Sequence, residues 1–361
     1  MNKDDIYAIW LSLVFMHKVS YMGELIDSFG SFKEIFNRGD KEIDFSRYPD
    51  TVKNSFSMKD TLFAEDIYES CERNGIDVIT YMSGEYPENF RNIDDPPIVL
   101  YGYGYKANLE KPLITVTGKR KPTRDGLSDA AYFASQISKS GIGVVTGFAD
   151  GIETEVFKNT EAVTVILPGG ILKPYPKFNT KYIKKIVDRG GLIISEYPPE
   201  NPSRAYNFKY RNRLLGGISD STLVIEAGAE SGTKMTVNAC ISYGRDVYAL
   251  PGSIHSPHYE GNNSYIRNGA IAVTHPSQFI TDYYVKYEHL YKPEEIEENT
   301  DGLDDNELKI FNTLKNGALT TEEIIIETKL EPSTVRTGLI SLEMSWTIRC
   351  VSPDCYEINR R

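Results

Sequence analysis

Seven short apolar runs recur through the middle of the chain, and they constrain the fold more than any other feature. The runs are Pro112–Val116, Gly143–Thr146, Val163–Leu167, Leu192–Ile194, Thr222–Ile225, Val247–Leu250 and Ala270–Val273. They are rich in β-branched residues, and stretches with helical spacing of apolar residues separate them. Runs without polar alternation indicate strands buried on both faces, as in parallel sheets covered by helices. We therefore predict an α/β fold, a Rossmann-like, doubly wound and mostly parallel sheet.

The chain has 361 residues, which is more than one hydrophobic core usually organises, so we expect several domains. Apolar residues at three-to-four spacing, as in Ile6–Phe15, predict a small helical domain over 1–76. The Rossmann-like domain is predicted at 77–282. Residues 283–302 are rich in Glu and Tyr and form an acidic linker, and 303–361 form a last domain.

The last domain reads as three short helices and a hairpin. The helices are predicted at 303–314, 320–328 and 332–344, and the hairpin at 347–358. A capping box from Thr320 to Glu323 opens the second helix. This order of elements is typical of a winged-helix domain. The third helix carries one cation, Arg336, whereas groove-binding helices normally present several, so protein contacts or a vestigial role are favoured over DNA reading.

Charge is distributed unevenly along the chain. The net charge of −11 divides into −6 over residues 1–80, +3 over 81–275 and −8 over 276–361. Screening confines the field of a local group to about 8 Å at physiological salt, so a basic groove can work between acidic flanks. The negative total therefore does not exclude a nucleic-acid partner.

The four cysteines, Cys71, Cys240, Cys350 and Cys355, are too few and too scattered for a disulfide framework. The first residues carry acids where a signal peptide needs cations, and no apolar run approaches the ~20 residues of a membrane span. We expect reduced thiols, no membrane partner and a cytoplasmic protein.

Turns that contain glycine follow several of the predicted strands. Gly118 follows the first run together with Lys119 and Arg120, Gly147 follows the second, and Gly169 follows the third. Glycine lets the backbone approach a bound group closely, although a single glycine turn usually serves only to connect a strand to the next element. Because the carboxyl ends of parallel strands meet at one edge, the convergence of these turns predicts a phosphate- or nucleotide-binding surface.

The segment 207–233 combines cations, a buried strand and a turn of small residues. Its candidate binding residues are Lys209, Arg211, Asn212, Arg213, Ser231 and Gly232. Fixed positive charge and free backbone N–H groups at one edge of a sheet bind phosphate.

No catalytic or metal-binding constellation occurs in the sequence. The five histidines lack metal spacing, and Gly-x-Ser-x-Gly, Walker and Gly-x-Gly-x-x-Gly motifs are missing from the expected places. Glu153, Glu196 and Glu226 lie near strand ends, where a Glu more commonly accepts hydrogen bonds from a neighbouring loop. We predict no enzyme activity, no cofactor and no metal.

An ordered set of short motifs extends across residues 86–275. The motifs are Tyr86-Pro87, Asp95–Gly102, Thr117–Arg120, Thr146–Ile152, Tyr175-Pro176, Ser195-Glu196, Arg211–Arg213, Ser231–Thr233 and Pro251-Gly252. This set resembles the DNA-processing protein A family, also called DprA or Smf. The resemblance implies a single-stranded-DNA-binding protein that protects incoming DNA in natural transformation and loads the RecA recombinase onto it, as a homodimer and without catalysis. It also implies that the N-terminal domain is of the SAM or helix–hairpin–helix kind.

The resemblance further implies roles for individual residues. The groups that would hold backbone phosphates are Arg120, Lys209, Arg211 and Arg213, with Lys119 and Asn212 in the same motifs. The close backbone and hydroxyl contacts would come from Gly118, Gly147, Ser231 and Gly232. In an alternative interpretation, Arg211 or Arg213 pairs with Glu196 or Glu226 as a structural bridge.

The chain also departs from the family pattern. Glu153, Val156 and Phe157 stand where the family usually has Asp, Ala and His, which marks a divergent member. Two further hypotheses stay open: a nucleotide-ligand sensor that uses the same glycine turns, and, ranked last, a phosphoribohydrolase-like enzyme for which Pro168–Gly170 is the only hint.

Overall fold

The computed structural model describes residues 3–16, 22–287, 303–316, 318–345, 347–352 and 354–358. The chain divides into two compact units, Met1–Tyr291 and Lys292–Arg361. The predicted acidic linker at 283–302 lies mostly outside the described residues.

A nine-stranded sheet forms the centre of the first unit. Its strands are β1 Asp77–Thr80, β2 Val99–Gly104, β3 Leu113–Thr117, β4 Gly143–Gly147, β5 Thr164–Ile166, β6 Leu192–Ser195, β7 Ser221–Val224, β8 Asp246–Ala249 and β9 Ile271–Ala272. Their spatial order is β1-β2-β6-β5-β4-β3-β7-β8-β9. Strands β3 to β9 pair in parallel, and β2 pairs antiparallel with both β6 and β1. Every predicted run contains a strand, so the predicted mostly parallel α/β fold is confirmed.

The order of strands reverses beside β3. The chain proceeds from β3 through β4 and β5 to β6 on one side, and it returns to place β7 against the other side of β3. Open parallel sheets bind ligands outside the carboxyl ends of the strands at such a reversal, because the flanking loops separate there and leave a crevice. The fold therefore places its crevice after Thr117 and Val224, the last residues of β3 and β7.

Helices cover both faces of this sheet. They are α6 Glu88–Arg91, α7 Arg124–Lys139, α8 Ile152–Lys158, α9 Ile183–Asp188, α10 Asn207–Ile218, α11 Thr233–Ser242, α12 Glu260–Arg267 and α13 Pro276–Tyr287, with 3₁₀ helices at Lys106–Glu110 and Lys177–Tyr182. Thr123 caps α7, since its side chain accepts a hydrogen bond from the N–H of Gly126. Helices α10 and α11 pack closely at Gly216, where a Cβ would lie 2.7 Å from the backbone nitrogen of Cys240.

The N-terminal helices continue into the same hydrophobic core. They are α1 Lys3–Phe15, α2 Met22–Phe29, α3 Phe32–Glu42, α4 Asp50–Met58 and α5 Leu62–Asn74, with a 3₁₀ turn at Phe45–Arg47. Trp10 and Phe56 are buried with their rings in edge contact, and Tyr101 of β2 belongs to the same cluster. The ends of two helices follow from local chemistry: Ser31 caps α3, and Gly75 ends α5 at a φ of 62°.

The second unit contains the three predicted helices and the predicted hairpin. Its elements are α14 Asp305–Thr313, a 3₁₀ turn Leu314–Asn316, β10 Leu319–Thr320, α15 Thr321–Thr328, α16 Pro332–Met344, β11 Ile348–Ser352 and β12 Cys355–Ile358. The capping box from Thr320 to Glu323 is present at the start of α15. Ile310, Leu339 and Ile348 lie in the core of this unit. Its winged-helix identity stays a prediction.

None of the helices in the described ranges is long and apolar enough to cross a membrane.

Candidate nucleic-acid interface

A cleft of about 500 Å³ opens where β3 and β7 end side by side. Its lining consists of Thr117, Gly118, Lys119, Arg120, Ala149, Glu153, Arg211, Asn212, Gly228, Glu230, Ser231, Gly232, Thr233 and Thr236. These residues come from the turns after β3, β4 and β7 and from helices α8, α10 and α11. Seven predicted site residues are therefore brought together, whereas Gly147, Lys209 and Arg213 are not among the lining residues.

Glycine sets the shape of the turn after β3. A Cβ on Gly118 would lie 2.7 Å from Cγ1 of Ile152 and 3.0 Å from the carbonyl oxygen of Glu226, closer than side chains tolerate. The N–H of Lys119 donates to that same carbonyl at 2.8 Å, which ties the turn to the end of β7. The wall of the cleft is thus backbone, and a bound group can approach it closely.

Glu226 is fully buried and holds the base of the cleft together. Its carboxylate accepts hydrogen bonds from both the N–H and the hydroxyl of Thr123, the latter at 2.7 Å. It also lies 3.5 Å from Nζ of Lys119 and 3.2 Å from Nδ1 of His258. Lys119 is therefore engaged with a carboxylate and with His258, at 2.8 Å from its ring. Glu226 has the commoner role predicted for a strand-end Glu.

Arg211 is 2% exposed and forms a buried ion pair with Glu153. Its guanidinium lies 3.3 Å from the carboxylate, donates to the carbonyl of Ile166 at 3.0 Å, and donates to Oδ1 of Asn212 at 3.1 Å. Burial lowers the pKa of Arg211, and the charge of Glu153 opposes that shift. The sequence analysis offered Glu196 or Glu226 as an ion-pair partner for this arginine, but Arg211 pairs with Glu153.

For Arg213 the alternative interpretation, a structural bridge to Glu196, is confirmed. Its guanidinium pairs with Glu196 and lies 2.9 Å from Asp95. Burial disfavours its charge, but the two carboxylates outweigh this effect, so the pKa of Arg213 is raised. Arg211 and Arg213 occupy different environments because they are two positions apart on α10, about 200° around the helix axis.

Asn212 links the ion pair to the loop after β7. Its side-chain amide accepts from Arg211 and donates to the carbonyl of Gly232 at 3.3 Å. Ser231 shares a hydrogen bond with the hydroxyl of Thr233 and accepts from its N–H at 3.3 Å. Gly232 is exposed, and a Cβ placed on it would meet open space. Helix α11 begins at Thr233, and Thr233 and Thr236 of this helix line the cleft.

Two predicted cations, Arg120 and Lys209, have exposed side chains. Among the described residues, no carboxylate lies within ion-pair distance of either one. The guanidinium of Arg120 lies 4.6 Å from the ring centre of Phe208, which precedes Lys209 on α10. Tyr206 is 53% exposed and approaches Tyr210 edge-on at 6.5 Å. Among the described cations that line the cleft, the one free for a ligand is therefore Arg120, next to the ring of Phe208.

Sequence reasoning missed two kinds of site residue, threonines and a phenylalanine. Thr117, Thr233 and Thr236 line the cleft, but a threonine at a strand or helix end carries no distinctive signal. Phe208 was not singled out, although its position between the loop and the cations of α10 was visible. Within the part of the chain that the structure describes, no group of acidic, His or Cys residues has the geometry of a metal site.

The sequence comparisons decide the family. The model of DNA recombination-mediator protein A matches residues 77–284, more than half of the chain. The chain belongs to this family. The DprA/Smf resemblance is thus confirmed. Among curated relatives, protein Smf of Escherichia coli is 31% identical over 54% of this chain and 53% of its own length. DNA processing protein DprA of Bacillus subtilis is 30% identical over 55% of this chain and 68% of its own length. The chain spans about half the length of the Smf relative.

Solved structures of family members share the fold. DNA processing protein A from Streptococcus pneumoniae superposes with a TM-score of 0.63 at 23% identity, covering 77% of this chain and 97% of that one. The structure of DNA processing protein A from Helicobacter pylori, described as giving insight into a unique single-stranded DNA binding mode, superposes with a TM-score of 0.54 at 26% identity. It covers 59% of this chain and 97% of that one.

Proposed function

We propose that this protein binds single-stranded DNA in the cleft between β3 and β7 and acts as a recombination mediator. The observation that carries the proposal is the rim of the cleft, where Arg120 is exposed above a wall of backbone formed by Gly118 and Gly232. Close backbone approach and a guanidinium at the rim suit a phosphate, and they read no base sequence. The exposed rings beside the rim suit the faces of unpaired bases.

Family membership supports the same function. The Helicobacter pylori relative is described by its single-stranded DNA binding mode, and the family model is named for recombination mediation. We infer that this chain protects DNA strands in natural transformation and loads the RecA recombinase onto them, as a homodimer. We further propose that it works in the cytoplasm and by binding alone, since the two buried carboxylates beside the cleft, Glu153 and Glu226, are committed to Arg211 and Lys119.

A nucleotide-sensing function is the second candidate. A cleft of about 500 Å³ lined by polar groups is within the range of small-molecule sites. Of the three described cations that line the cleft, Lys119 and Arg211 each face a carboxylate, which leaves Arg120 for the phosphates of a nucleotide. The exposed Arg120 at the rim and the exposed Lys209 outside the lining instead suit a ligand that extends beyond the cleft.

A titration with labelled oligonucleotides tests the proposal. We expect a single strand of about 10 nucleotides to bind more tightly than the duplex of the same sequence, with affinity falling steeply between about 50 and 200 mM salt. The same samples are heated with nucleoside triphosphates in place of DNA. Binding that ignores salt, or a melting temperature raised by a nucleotide and not by DNA, would reject the DNA proposal in favour of nucleotide sensing.

A further inference from the structure

A cluster of lysines covers the surface around the 3₁₀ helix Lys177–Tyr182 and helix α9. Residues 173–189 contain six cations and one acidic residue, Asp188. The exposed lysines of this surface, here called the lysine patch, are Lys158, Lys177, Lys181, Lys184 and Lys185. None of them belongs to the motifs from which the cleft was predicted.

Three ammonium groups of the lysine patch surround one ring. Nζ of Lys181 lies 5.1 Å from the ring centre of Tyr182, and those of Lys158 and Lys185 both lie 5.9 Å from it. Lys158 has a partner in Glu155 at 3.2 Å. Among the described residues, no carboxylate lies within ion-pair distance of Lys181 or Lys185. Like charges gathered in this way repel one another until a bound anion neutralises them.

The lysine patch is fixed to the body of the protein. Asn179 is fully buried within the 3₁₀ helix, and its amide donates to the carbonyl of Phe148 at 3.1 Å and to the hydroxyl of Thr154 at 2.9 Å. The ring of Tyr182 packs on Phe157 at 5.5 Å, and Phe157 stacks on Phe148. Phe148 follows Gly147 in the turn after β4, and the next residue of that turn lines the cleft. The lysines thus have a set position relative to the cleft.

Aromatic side chains connect the two surfaces. Tyr175, which is 49% exposed, meets Phe208 edge-on at 6.0 Å, and Arg120 at the cleft rim lies over that same ring. Phe178 is 54% exposed within the 3₁₀ helix that carries Lys177 and Lys181. Cations and exposed rings therefore alternate from the cleft to α9. This interleaving is typical of surfaces that follow an unpaired nucleic-acid strand, because the cations meet phosphates and the rings meet bases.

We propose that the lysine patch is a second contact segment for the DNA strand that occupies the cleft. A single strand leaving the cleft passes Tyr175 and Phe178 and places its phosphates against Lys181 and Lys185. This inference rests on the proposed function, since it extends the same bound strand. A single strand is favoured over a lipid surface because the lysine patch is continuous with the cleft and its exposed rings line the path between them.

Strand length separates the two surfaces in an experiment. The patch variant combines Lys181→Gln and Lys185→Gln. The control variant combines Lys111→Gln and Lys139→Gln, because these two exposed lysines precede β3 and β4, at the opposite edge of the sheet. For a strand of about 30 nucleotides at ~0.1 M salt, the patch variant loses on the order of tenfold in affinity, and its logarithmic salt slope falls by about 1.4. A strand of about 6 nucleotides, long enough for the cleft alone, binds as it does to the wild type. The control variant matches the wild type with both strands.

Other results would overturn the inference. Equal loss with the short and the long strand would place the effect in the cleft, and unchanged binding of the long strand would leave the lysines without a role. Loss of binding to vesicles containing anionic lipid, with DNA binding unchanged, would assign the patch to a membrane surface. If the wild type binds neither strand, the proposed function fails and the patch proposal fails with it.

Discussion

Removal of the Arg211 guanidinium tests whether this arginine is structural. Arg211→Met keeps much of the length of the side chain and removes the ion pair with Glu153 and the hydrogen bonds to Ile166 and Asn212. Glu153 is 5% exposed. It would be left with the N–H of Ala149 at 2.7 Å and the hydroxyl of Thr117 at 3.5 Å. These neutral donors cannot compensate a buried charge.

The expected loss is large. Breaking a buried pair by removing one partner costs about 3–5 kcal/mol, because the other charge stays buried. Folded domains have total stabilities of about 5–15 kcal/mol, so Arg211→Met should shift the unfolding midpoint strongly. Adding Glu153→Gln removes the stranded charge, and the double variant should be more stable than Arg211→Met alone by about 2 kcal/mol.

Urea denaturation of the four proteins in this cycle measures the free energies of unfolding. Binding of single-stranded DNA is measured for each under conditions in which it is folded. We expect the folded double variant to retain binding of single-stranded DNA, because Glu153 neutralises the charge of Arg211 in the wild type. A loss of stability below about 1 kcal/mol in Arg211→Met, together with loss of DNA binding, would refute this reasoning and make Arg211 a phosphate ligand.

Three further substitutions check other parts of the structure. Gly147→Ala should destabilise the fold by about 1–3 kcal/mol, because its Cβ would overlap Arg211 and Glu153, and thermal denaturation measures the loss. Gly232→Ala should change the free energy of unfolding by less than about 0.5 kcal/mol, because the φ of −59° at this position suits alanine and the space around it is open. The added methyl group should nevertheless weaken DNA binding, because it blocks approach to the backbone. Unchanged DNA binding would contradict this prediction. Thr320→Ala should lower the free energy of unfolding of the second unit by about 1 kcal/mol, because it removes the cap of α15, whereas Thr320→Ser keeps the cap and should not. Equal urea midpoints in the wild type and both variants would contradict the capping role.

The sheet could be predicted because its strands are buried on both faces. Every apolar run contains a strand, and of the three predicted glycine turns the one with Gly118 lines the cleft, whereas Gly147 and Gly169 are not among its lining residues. The antiparallel direction of β2 and β1 was not predicted, because an apolar run carries no sign of its direction. That information lies in the connections, and the segment between β1 and β2 is short enough to return directly along the sheet edge.

The site was predictable in position but not in its charges. The motifs identified the turns of the cleft and three cations that line it, Lys119, Arg120 and Arg211, since glycine and arginine have strong local signals. Which cation is available to a ligand depends on carboxylates far along the chain: Glu153 is 58 positions from Arg211, and Glu226 is 107 from Lys119. Glu153 stands where the family usually has the shorter Asp, and its reach to Arg211 could be seen only in three dimensions. The lysine patch has no distinctive sequence signal, because solvated lysines on a short helix are common.

The salt dependence of single-stranded DNA binding by Arg120→Gln tests the central claim most directly, with Lys139→Gln as the matched control. If the cleft rim holds a phosphate through Arg120, the variant binds more weakly than the wild type, and its logarithmic salt slope is smaller by about 0.7. The control keeps the affinity and slope of the wild type. An Arg120→Gln protein that binds DNA with the wild-type affinity and the wild-type salt slope would contradict the assignment of this cleft to DNA.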